Sequence, residues 1–170
     1  MIIWLIGMSG AGKSTVGRSL ATELRARRPG LVYLDGDQLR EVWGDQPGHD
    51  IAGRAINAGR ISRLCAMLDQ QGIDVIAAVL SIFPDWQAWN RATFTDYREI
   101  FLDAPMEVLR ARDTKGLYAA ADAGEQTNVV GVDIAFPRPL APDLILDSSG
   151  RSGGPHVLVN AILDHVLEPR

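Results

Sequence analysis

A glycine-rich stretch near the N-terminus carries the residues whose types and spacing most clearly imply chemistry. It runs from Gly7 to Thr15 and fits the phosphate-loop pattern G-x-x-x-x-G-K-S/T at every specified position. Glycines let a chain wrap closely around a phosphate with N–H groups pointing inward, and the following helix presents its positive end. We expect Lys13 to reach the β- and γ-phosphates of a nucleoside triphosphate and the Ser14 hydroxyl to hold Mg²⁺. The residues predicted to contact that nucleotide are Gly7, Ser9, Gly10, Ala11, Gly12, Lys13, Ser14 and Thr15.

The same pattern could arise by chance in a glycine-rich turn, but its flanking residues favour a phosphate loop. Ile2 to Ile6 form an apolar run without polar alternation, as in a central parallel strand. From Lys13 onward, apolar residues recur at helical spacing until Pro29-Gly30, which is a good stop signal. A strand, a glycine loop and a helix in this order are the context that the motif requires.

Two aspartates flank a glycine at the end of the next predicted strand. Leu31 to Leu34 is an apolar run, and Asp35-Gly36-Asp37 follows it. Acidic residues at the carboxyl end of a parallel strand lie in the crevice where open α/β sheets bind ligands. Carboxylates around a glycine are also a common turn signal. A plain turn therefore stays open, but the nearby phosphate loop favours a catalytic role.

A predicted helix over residues 51–71 carries one continuous stripe that changes character along its length. The stripe consists of Arg54, Asn57, Ile61, Leu64, Cys65 and Leu68. Because it is polar at the N-terminal end and apolar at the C-terminal end, the helix should run from a ligand cleft into the core. Arg60 lies at its edge, and the alternative is that Arg54 and Arg60 are solvated surface residues. Cys65 is expected to be a buried core residue rather than a nucleophile.

Further apolar runs complete an alternation of strands and helices. Strands are predicted over 73–80, 99–102 and 144–146, a loop over 45–49, and helices from Asp85 through Phe94, after Pro105 and over 157–167. Right-handed crossovers then give a parallel sheet wrapped by helices on both faces, an α/β three-layer sandwich of the P-loop NTPase type. Residues 116–131 have weak periodicity, so we predict a mobile lid around 113–131.

Length and composition bound the kind of protein. The 170 residues, 46% of them hydrophobic, fit a single domain over 1–170 with a full core. A net charge of −4 gives no general attraction to a nucleic-acid polymer, so phosphates must be held by local cations. The N-terminal apolar run is too short for a membrane span and lacks the flanks of a signal peptide. With one cysteine and no disulfide framework, we expect a cytoplasmic protein.

Taken together, these motifs resemble those of the adenylylsulfate (APS) kinase family of small P-loop kinases. Besides the phosphate loop, the matching stretches are 34–40, Arg54 to Asn57, 112–118 and 131–133. The resemblance implies that ATP and Mg²⁺ are the cofactors. It also implies transfer of the γ-phosphate to the ribose 3'-hydroxyl of a small nucleotide, nominally APS. Relatives are often dimers, so a homodimer is an expectation from the resemblance.

The resemblance also implies roles for individual residues. Asp35 and Asp37 would have catalytic and metal-positioning roles, with Asp37 orienting the acceptor hydroxyl and taking its proton. Acceptor binding would fall to Arg40, Arg54, Asn57 and Lys115. Lys13, Mg²⁺ and either Arg110 or Arg112 would neutralise the γ-phosphate. Ser81 aligns with a serine that some relatives carry phosphorylated.

The match to the family fails where the base of the acceptor would be recognised. The family usually clamps adenine between two phenylalanines, and here His49 and Val129 stand in their places. Wider relatives phosphorylate other nucleotides, including a cytidine diphosphoramidate, so a non-adenine acceptor is the alternative. Trp43, Trp86 and Trp89 could replace the clamp, although core packing is favoured for each. A nucleotide-binding switch without turnover is the alternative from another class.

Overall fold

In the computed structural model, the described residues are 1–44, 47–113 and 115–167. Within them a single parallel sheet has the order β2-β3-β1-β4-β5. Its strands are β1 (Ile2–Ile6), β2 (Val32–Asp35), β3 (Val75–Val79), β4 (Tyr97–Asp103) and β5 (Leu144–Asp147). β1 pairs with β3 on one side and with β4 on the other, so it is the central strand. The loop that follows β1 is therefore at the centre of the carboxyl edge of the sheet.

The helices connect the strands and cover both faces of the sheet. They are α1 (Lys13–Arg25), α2 (Gly36–Trp43), α3 (Ile51–Gln70), α4 (Pro84–Thr93), α5 (Met106–Ala111), α6 (Leu117–Asp122) and α7 (Pro155–Leu167). One apolar core, which includes Leu20 and Ile162, lies between the sheet and the helices α1 and α7. A second core, which includes Trp4 and Ile61, lies on the opposite face beneath α3. The predicted three-layer α/β sandwich is confirmed.

Cys65 and the long helix show how well the apolar pattern predicts burial. α3 covers residues 51–70, within one residue of the prediction, and Cys65 is fully buried on it. Burial raises the pKa of the Cys65 thiol to about 12, so the thiolate is disfavoured. The expectation of a core cysteine is confirmed.

Two short helices were not predicted, and both lie beside the site. α2 begins directly after Asp35, where a plain turn was the alternative left open, and only Leu39 of its eight residues is buried. α6 has six residues and lies inside the predicted lid. Helices this short carry too few buried positions for a recognisable period.

Several predicted boundaries also shift. α1 ends at Arg25 instead of continuing to Pro29, and β4 begins at Tyr97 instead of Glu99. Phe94 is the residue after the last turn of α4, not part of that helix. Two residues of the loop predicted over 45–49 fall outside the described residues. Among those that are described, no helix has the length and apolar character needed to cross a membrane.

The start of α3 holds the preceding loop close by means of a glycine. The Asp50 carboxylate caps the helix by accepting a hydrogen bond of 2.8 Å from the Gly53 amide. A Cβ atom at Gly53 would overlap the backbone of Gly48, including its carbonyl oxygen. Only glycine lets residues 48–50 pack this tightly against the helix.

We predict that Gly53→Ala lowers the free energy of unfolding by about 1–3 kcal/mol, because the backbone at Gly48 has to move. Gly30→Ala is the matched control, since nothing lies within 4 Å of a Cβ there. Urea denaturation of both variants measures the difference. Equal stabilities for the two would contradict the tight approach.

Candidate active site

The phosphate loop joins the end of β1 to the start of α1. Gly12 is the N-terminal capping residue of α1 and has a left-handed backbone with φ of +89°, which favours glycine. The Lys13 ammonium lies over the loop and donates a hydrogen bond of 2.9 Å to the Met8 carbonyl. Burial lowers the pKa of Lys13 to about 8, although the nearby Asp37 and Asp35 carboxylates favour the charged form. The loop thus holds a cation that a polyphosphate would stabilise.

The Asp35 carboxylate ties the phosphate loop to the neighbouring strand. One of its oxygens accepts hydrogen bonds from the Ser14 hydroxyl at 2.7 Å and the Tyr33 hydroxyl at 3.0 Å. The other oxygen accepts a hydrogen bond of 3.0 Å from the Asp37 amide and so caps α2. Burial alone would raise the pKa of Asp35, but these hydrogen bonds outweigh it and hold the pKa below its ordinary value. The carboxylate therefore stays ionised beside the phosphate loop.

Ser14 and Asp35 are also the pair predicted to hold Mg²⁺. Their hydroxyl and carboxylate oxygens are the kind of ligand that this ion prefers, usually completed by substrate phosphates and water. The donor set therefore fits the metal. Tyr33 supports it from behind, since burial and the Asp35 carboxylate raise the pKa of Tyr33 to about 12 and keep its hydroxyl a donor.

Asp37 lies in the first turn of α2 and faces solvent across from the lid. Its side chain is 70% exposed, and one carboxylate oxygen is 2.6 Å from the Lys115 ammonium. The hydrogen bond to Asp37 raises the pKa of Lys115 above its ordinary value. Asp37 and Lys115, two of the residues predicted to contact the acceptor, are thus brought together although they lie 78 residues apart in sequence.

A cluster of cations lies beside Asp37. Arg40 donates to the Pro47 carbonyl at 2.9 Å, and Arg54 donates to the carbonyl oxygens of His49 at 2.6 Å and Asn128 at 2.7 Å. Burial lowers the pKa of Arg54, and the neighbouring Arg40 lowers it further. Burial, Arg40 and Arg54 likewise lower the pKa of His49. Arg54 is therefore not a solvated surface residue, and the cluster suits an anion.

Asn57 and Val129 are both buried in this structure. Asn57 is 7% exposed, and its side-chain oxygen accepts a hydrogen bond of 3.1 Å from the Trp43 indole, which joins α3 to α2. Val129 is 1% exposed and packs in the core that α1 and α7 cover. The contact predicted for the Val129 side chain does not fit this structure, because a buried valine presents no surface to a ligand.

The tryptophans named as a replacement clamp take part in packing. Trp43 packs against the second core, with its indole N–H held by Asn57. Trp86 and Trp89 meet edge to face, with ring centroids 5.4 Å apart, and Arg63 lies over the Trp86 ring. The packing interpretation of these three residues is therefore favoured over a stacking surface for a base.

The two arginines predicted for the γ-phosphate point to different partners. Arg112 donates to the Ser148 carbonyl at 2.7 Å and to the Gly10 carbonyl of the phosphate loop at 3.4 Å. Arg110 forms an ion pair with Asp122 on α6. Of these two arginines, Arg112 is the one that contacts the phosphate loop.

The lid predicted around 113–131 is anchored at both ends. Tyr118 and Val129 are each 1% exposed in the core, whereas residues 122–127 are exposed. The Asp133 carboxylate accepts hydrogen bonds from the backbone N–H groups of Asn128 and Val129. Motion of the whole segment would have to unpack Tyr118 and Val129, so the exposed tip is the part with the fewest contacts to break. Mobility of this segment stays a prediction.

Three residues with clear roles in the site were missed by sequence reasoning. Asp113 caps α6, Tyr118 contacts the phosphate loop, and Tyr33 supports Asp35. Asp113 offered a signal, since an aspartate shortly before a helix is a typical cap. Tyr118 lies in the matching stretch 112–118, although no role was assigned to it, whereas Tyr33 offered no signal within its apolar run.

Ser81 follows β3 with a left-handed backbone, φ of +54°. Its hydroxyl oxygen accepts hydrogen bonds from the Trp4 indole at 3.1 Å and the Gln87 amide at 3.3 Å. The Gln87 amide also donates to the Ser81 carbonyl at 2.9 Å. These contacts give the serine a structural role at the edge of the sheet.

Comparison with known proteins identifies the family. Residues 1–147 match the family described as adenylylsulphate kinase. The chain belongs to the adenylylsulphate kinase family. A solved structure of the Mycobacterium tuberculosis APS kinase in complex with AMPPNP and APS matches with a TM-score of 0.88 at 32% identity. That match covers 98% of this chain and 97% of the other.

Two curated relatives have names that specify different acceptors. A cytidine diphosphoramidate kinase of Campylobacter jejuni is 41% identical over 151 residues, which are 89% of this chain and 88% of that protein. An adenylyl-sulfate kinase of Paraburkholderia xenovorans is 38% identical over 150 residues, which are 86% of this chain and 83% of that protein. The kinase class and the fold expected from the motifs are thus confirmed.

The depressed pKa of Lys13 makes a prediction about nucleotide binding. Bound phosphates favour the ammonium form, so at pH 8 binding of the ATP analogue AMPPNP should take up about half a proton at Lys13. The uptake should approach one proton near pH 9, and affinity should fall about tenfold per pH unit there. Titration calorimetry in buffers of different ionisation enthalpy measures it. Proton uptake that stays constant between pH 7 and 9 would be inconsistent with this assignment.

Proposed function

We propose that this kinase transfers the γ-phosphate of ATP to the ribose 3'-hydroxyl of a small anionic nucleotide. The observation that carries the proposal is the position of Asp37. It is an exposed carboxylate within 2.6 Å of Lys115, near the Lys13 ammonium and a cluster of arginines. A protein that only bound ATP would not need the Asp37 carboxylate. Nor would it need the three cations Lys115, Arg40 and Arg54 beside the phosphate loop.

The phosphate loop would hold the triphosphate, with Lys13 at the β- and γ-phosphates and Arg112 at the edge of the loop. Ser14 and Asp35 would hold Mg²⁺, which supplies charge neutralisation and a fixed orientation of the phosphates. Because Asp35 is already fixed by three hydrogen bonds, little reorganisation is needed when the nucleotide arrives. These residues account for the donor side of the reaction.

Asp37 would act on the acceptor hydroxyl. Its carboxylate can accept a hydrogen bond from the hydroxyl and align the oxygen with the γ-phosphorus. A carboxylate is a weak base towards an alcohol, so the proton leaves the hydroxyl late and alignment is the larger contribution. The Lys115 ammonium can then leave Asp37 for an anionic group of the acceptor.

The acceptor side favours a nucleotide with more than one acidic group. Burial lowers the pKa of Arg40 and of Arg54, and Arg40 lowers the pKa of Arg54 further, so an anion between the two guanidinium groups would relieve their repulsion. APS and cytidine diphosphate derivatives both carry such groups. APS is the nominal acceptor, since the family takes its name from it.

A pyrimidine acceptor is the second candidate, and two observations favour it. Val129 is buried and His49 is exposed at the positions where the family has an aromatic clamp. An aromatic clamp would contribute about 1–3 kcal/mol to base binding, so its loss removes the main interaction with adenine. The Campylobacter jejuni relative acts on a cytidine derivative and is 41% identical.

We also infer a cytoplasmic location and a homodimer. The location is favoured by one buried, unpaired cysteine, which suits a reducing compartment. The homodimer is inferred from the family, whose members are often dimers. Light scattering of the purified protein measures its mass directly.

We predict that Asp37→Ala lowers kcat by about 10²- to 10⁴-fold while the dissociation constant of AMPPNP changes less than about threefold. Asp37 lies on the acceptor side, so ATP binding should survive its loss. ADP release with Mg-ATP is measured against APS, cytidine diphosphoramidate, and uridine and guanosine diphosphates. Asp164→Asn, an exposed carboxylate on α7, is the matched control.

The outcomes separate the candidates. Asp37-dependent turnover on APS supports the nominal acceptor, and turnover on the cytidine derivative with APS nearly inert supports the second candidate. Binding of AMPPNP without turnover on any acceptor would refute the kinase proposal and favour a switch.

A further inference from the structure

One short segment of the chain contacts both the phosphate loop and the acceptor carboxylate. This bridge segment consists of Asp113 and residues 115–118. At one end the Tyr118 hydroxyl donates a hydrogen bond of 2.9 Å to the Ser9 carbonyl of the phosphate loop. Three residues earlier, Lys115 pairs with Asp37 at 2.6 Å. The role of Tyr118 is not part of the function proposed above.

The bridge segment is held in shape independently of either contact. The Asp113 carboxylate accepts backbone hydrogen bonds from Leu117 and Tyr118 at 2.8 Å and from Ala119 at 2.9 Å. The Gly116 amide donates to the Asp113 carbonyl at 3.0 Å. The Tyr118 ring is 1% exposed in the core beneath α1 and α7. The hydroxyl is therefore a fixed donor rather than a mobile one.

The hydrogen bond from Tyr118 determines how one peptide of the phosphate loop is oriented. The peptide bonds of the described residues are trans, so the carbonyl of Ser9 and the N–H of Gly10 point in opposite directions. Holding the Ser9 carbonyl towards Tyr118 directs the Gly10 N–H away from it. Arg112 holds the next carbonyl, that of Gly10, at 3.4 Å. Two side chains thus hold successive carbonyls of the phosphate loop.

We propose that Tyr118 is a positioning residue for the phosphates of ATP. Through its hydroxyl it orients the Ser9–Gly10 peptide so that the Gly10 amide can donate to a phosphate oxygen. The proposal rests on the proposed function, because it takes the loop to bind ATP. Since Asp113 fixes the segment on its own, loss of the hydroxyl should leave Lys115 and the acceptor side in place.

Tyr118→Phe removes one oxygen and tests the proposal. We expect Mg²⁺-dependent binding of AMPPNP to weaken about 3- to 10-fold, the effect of one hydrogen bond. Tripolyphosphate should lose affinity by the same factor, because the change is at the phosphates and not at the nucleoside. In turnover, KM for ATP should rise while KM for the active acceptor stays within about twofold. Calorimetry and steady-state rates give these values.

Tyr97→Phe is the matched control. Its buried hydroxyl donates a hydrogen bond of 2.8 Å to the Glu99 carboxylate near the start of β4, away from the phosphate loop. Both variants should lose similar thermal stability. If the role of Tyr118 were purely structural, the affinity for AMPPNP would therefore change equally in the two variants. Equal losses of affinity in the two variants, or unchanged affinity in Tyr118→Phe, would overturn the proposal. A loss for AMPPNP without one for tripolyphosphate would do the same.

The design keeps this proposal separate from the proposed function. If the wild-type protein fails to bind AMPPNP, the proposal that ATP is the phosphate donor is rejected. The tripolyphosphate comparison still decides whether Tyr118 orients the loop. If AMPPNP binds but no acceptor is phosphorylated, the kinase proposal falls and the binding data for Tyr118→Phe stand.

Discussion

The hydrogen bonds that converge on the Asp35 carboxylate are the constraint on which the rest of the site depends. They come from the phosphate loop through Ser14, from the strand through Tyr33, and from α2 through the Asp37 amide. A carboxylate that is 6% exposed is stable as an anion only because these donors replace water. The same three bonds fix the distance between the phosphate loop and Asp37. Removing the carboxylate would therefore disturb both substrate sides at once.

The electrostatics of the site are local, as they must be in a chain with a net charge of −4. Lys13, Arg40, Arg54 and Lys115 converge on one edge of the sheet, although they come from four different elements. Burial lowers the pKa of Lys13, Arg40 and Arg54, and the hydrogen bond to Asp37 raises the pKa of Lys115. Such displaced values cluster at functional sites, where burial and neighbouring charges are arranged to tune ionisable groups.

The sequence predicted those parts of the fold whose physical cause is contained in a short stretch. The phosphate loop needs glycines and a lysine at fixed spacing, and buried parallel strands need unbroken apolar runs, so both were predicted correctly. The helix over 51–70 was predicted within one residue, because twenty positions repeat the same period. α2 and α6 were missed because helices of eight and six residues carry too few buried positions to show a helical period. The pairing of Lys115 with Asp37 was not predictable from spacing alone, because it depends on tertiary structure.

Base recognition is the least predictable part of the site, for a physical reason that Val129 illustrates. Aligned motifs place it where a ring would stack, yet the fold buries it in the core, with the amides of Asn128 and Val129 held by Asp133. A β-branched apolar side chain gains more from burial than from an exposed contact with a base. His49, by contrast, stays near the surface, where partial burial and then Arg40 and Arg54 lower its pKa, so that its neutral ring can accept a hydrogen bond. An edge contact from such an imidazole would favour a base with a suitably placed amino group, and cytosine and adenine both have one. The size of the base and the lost stacking, rather than that hydrogen bond, must then decide between them.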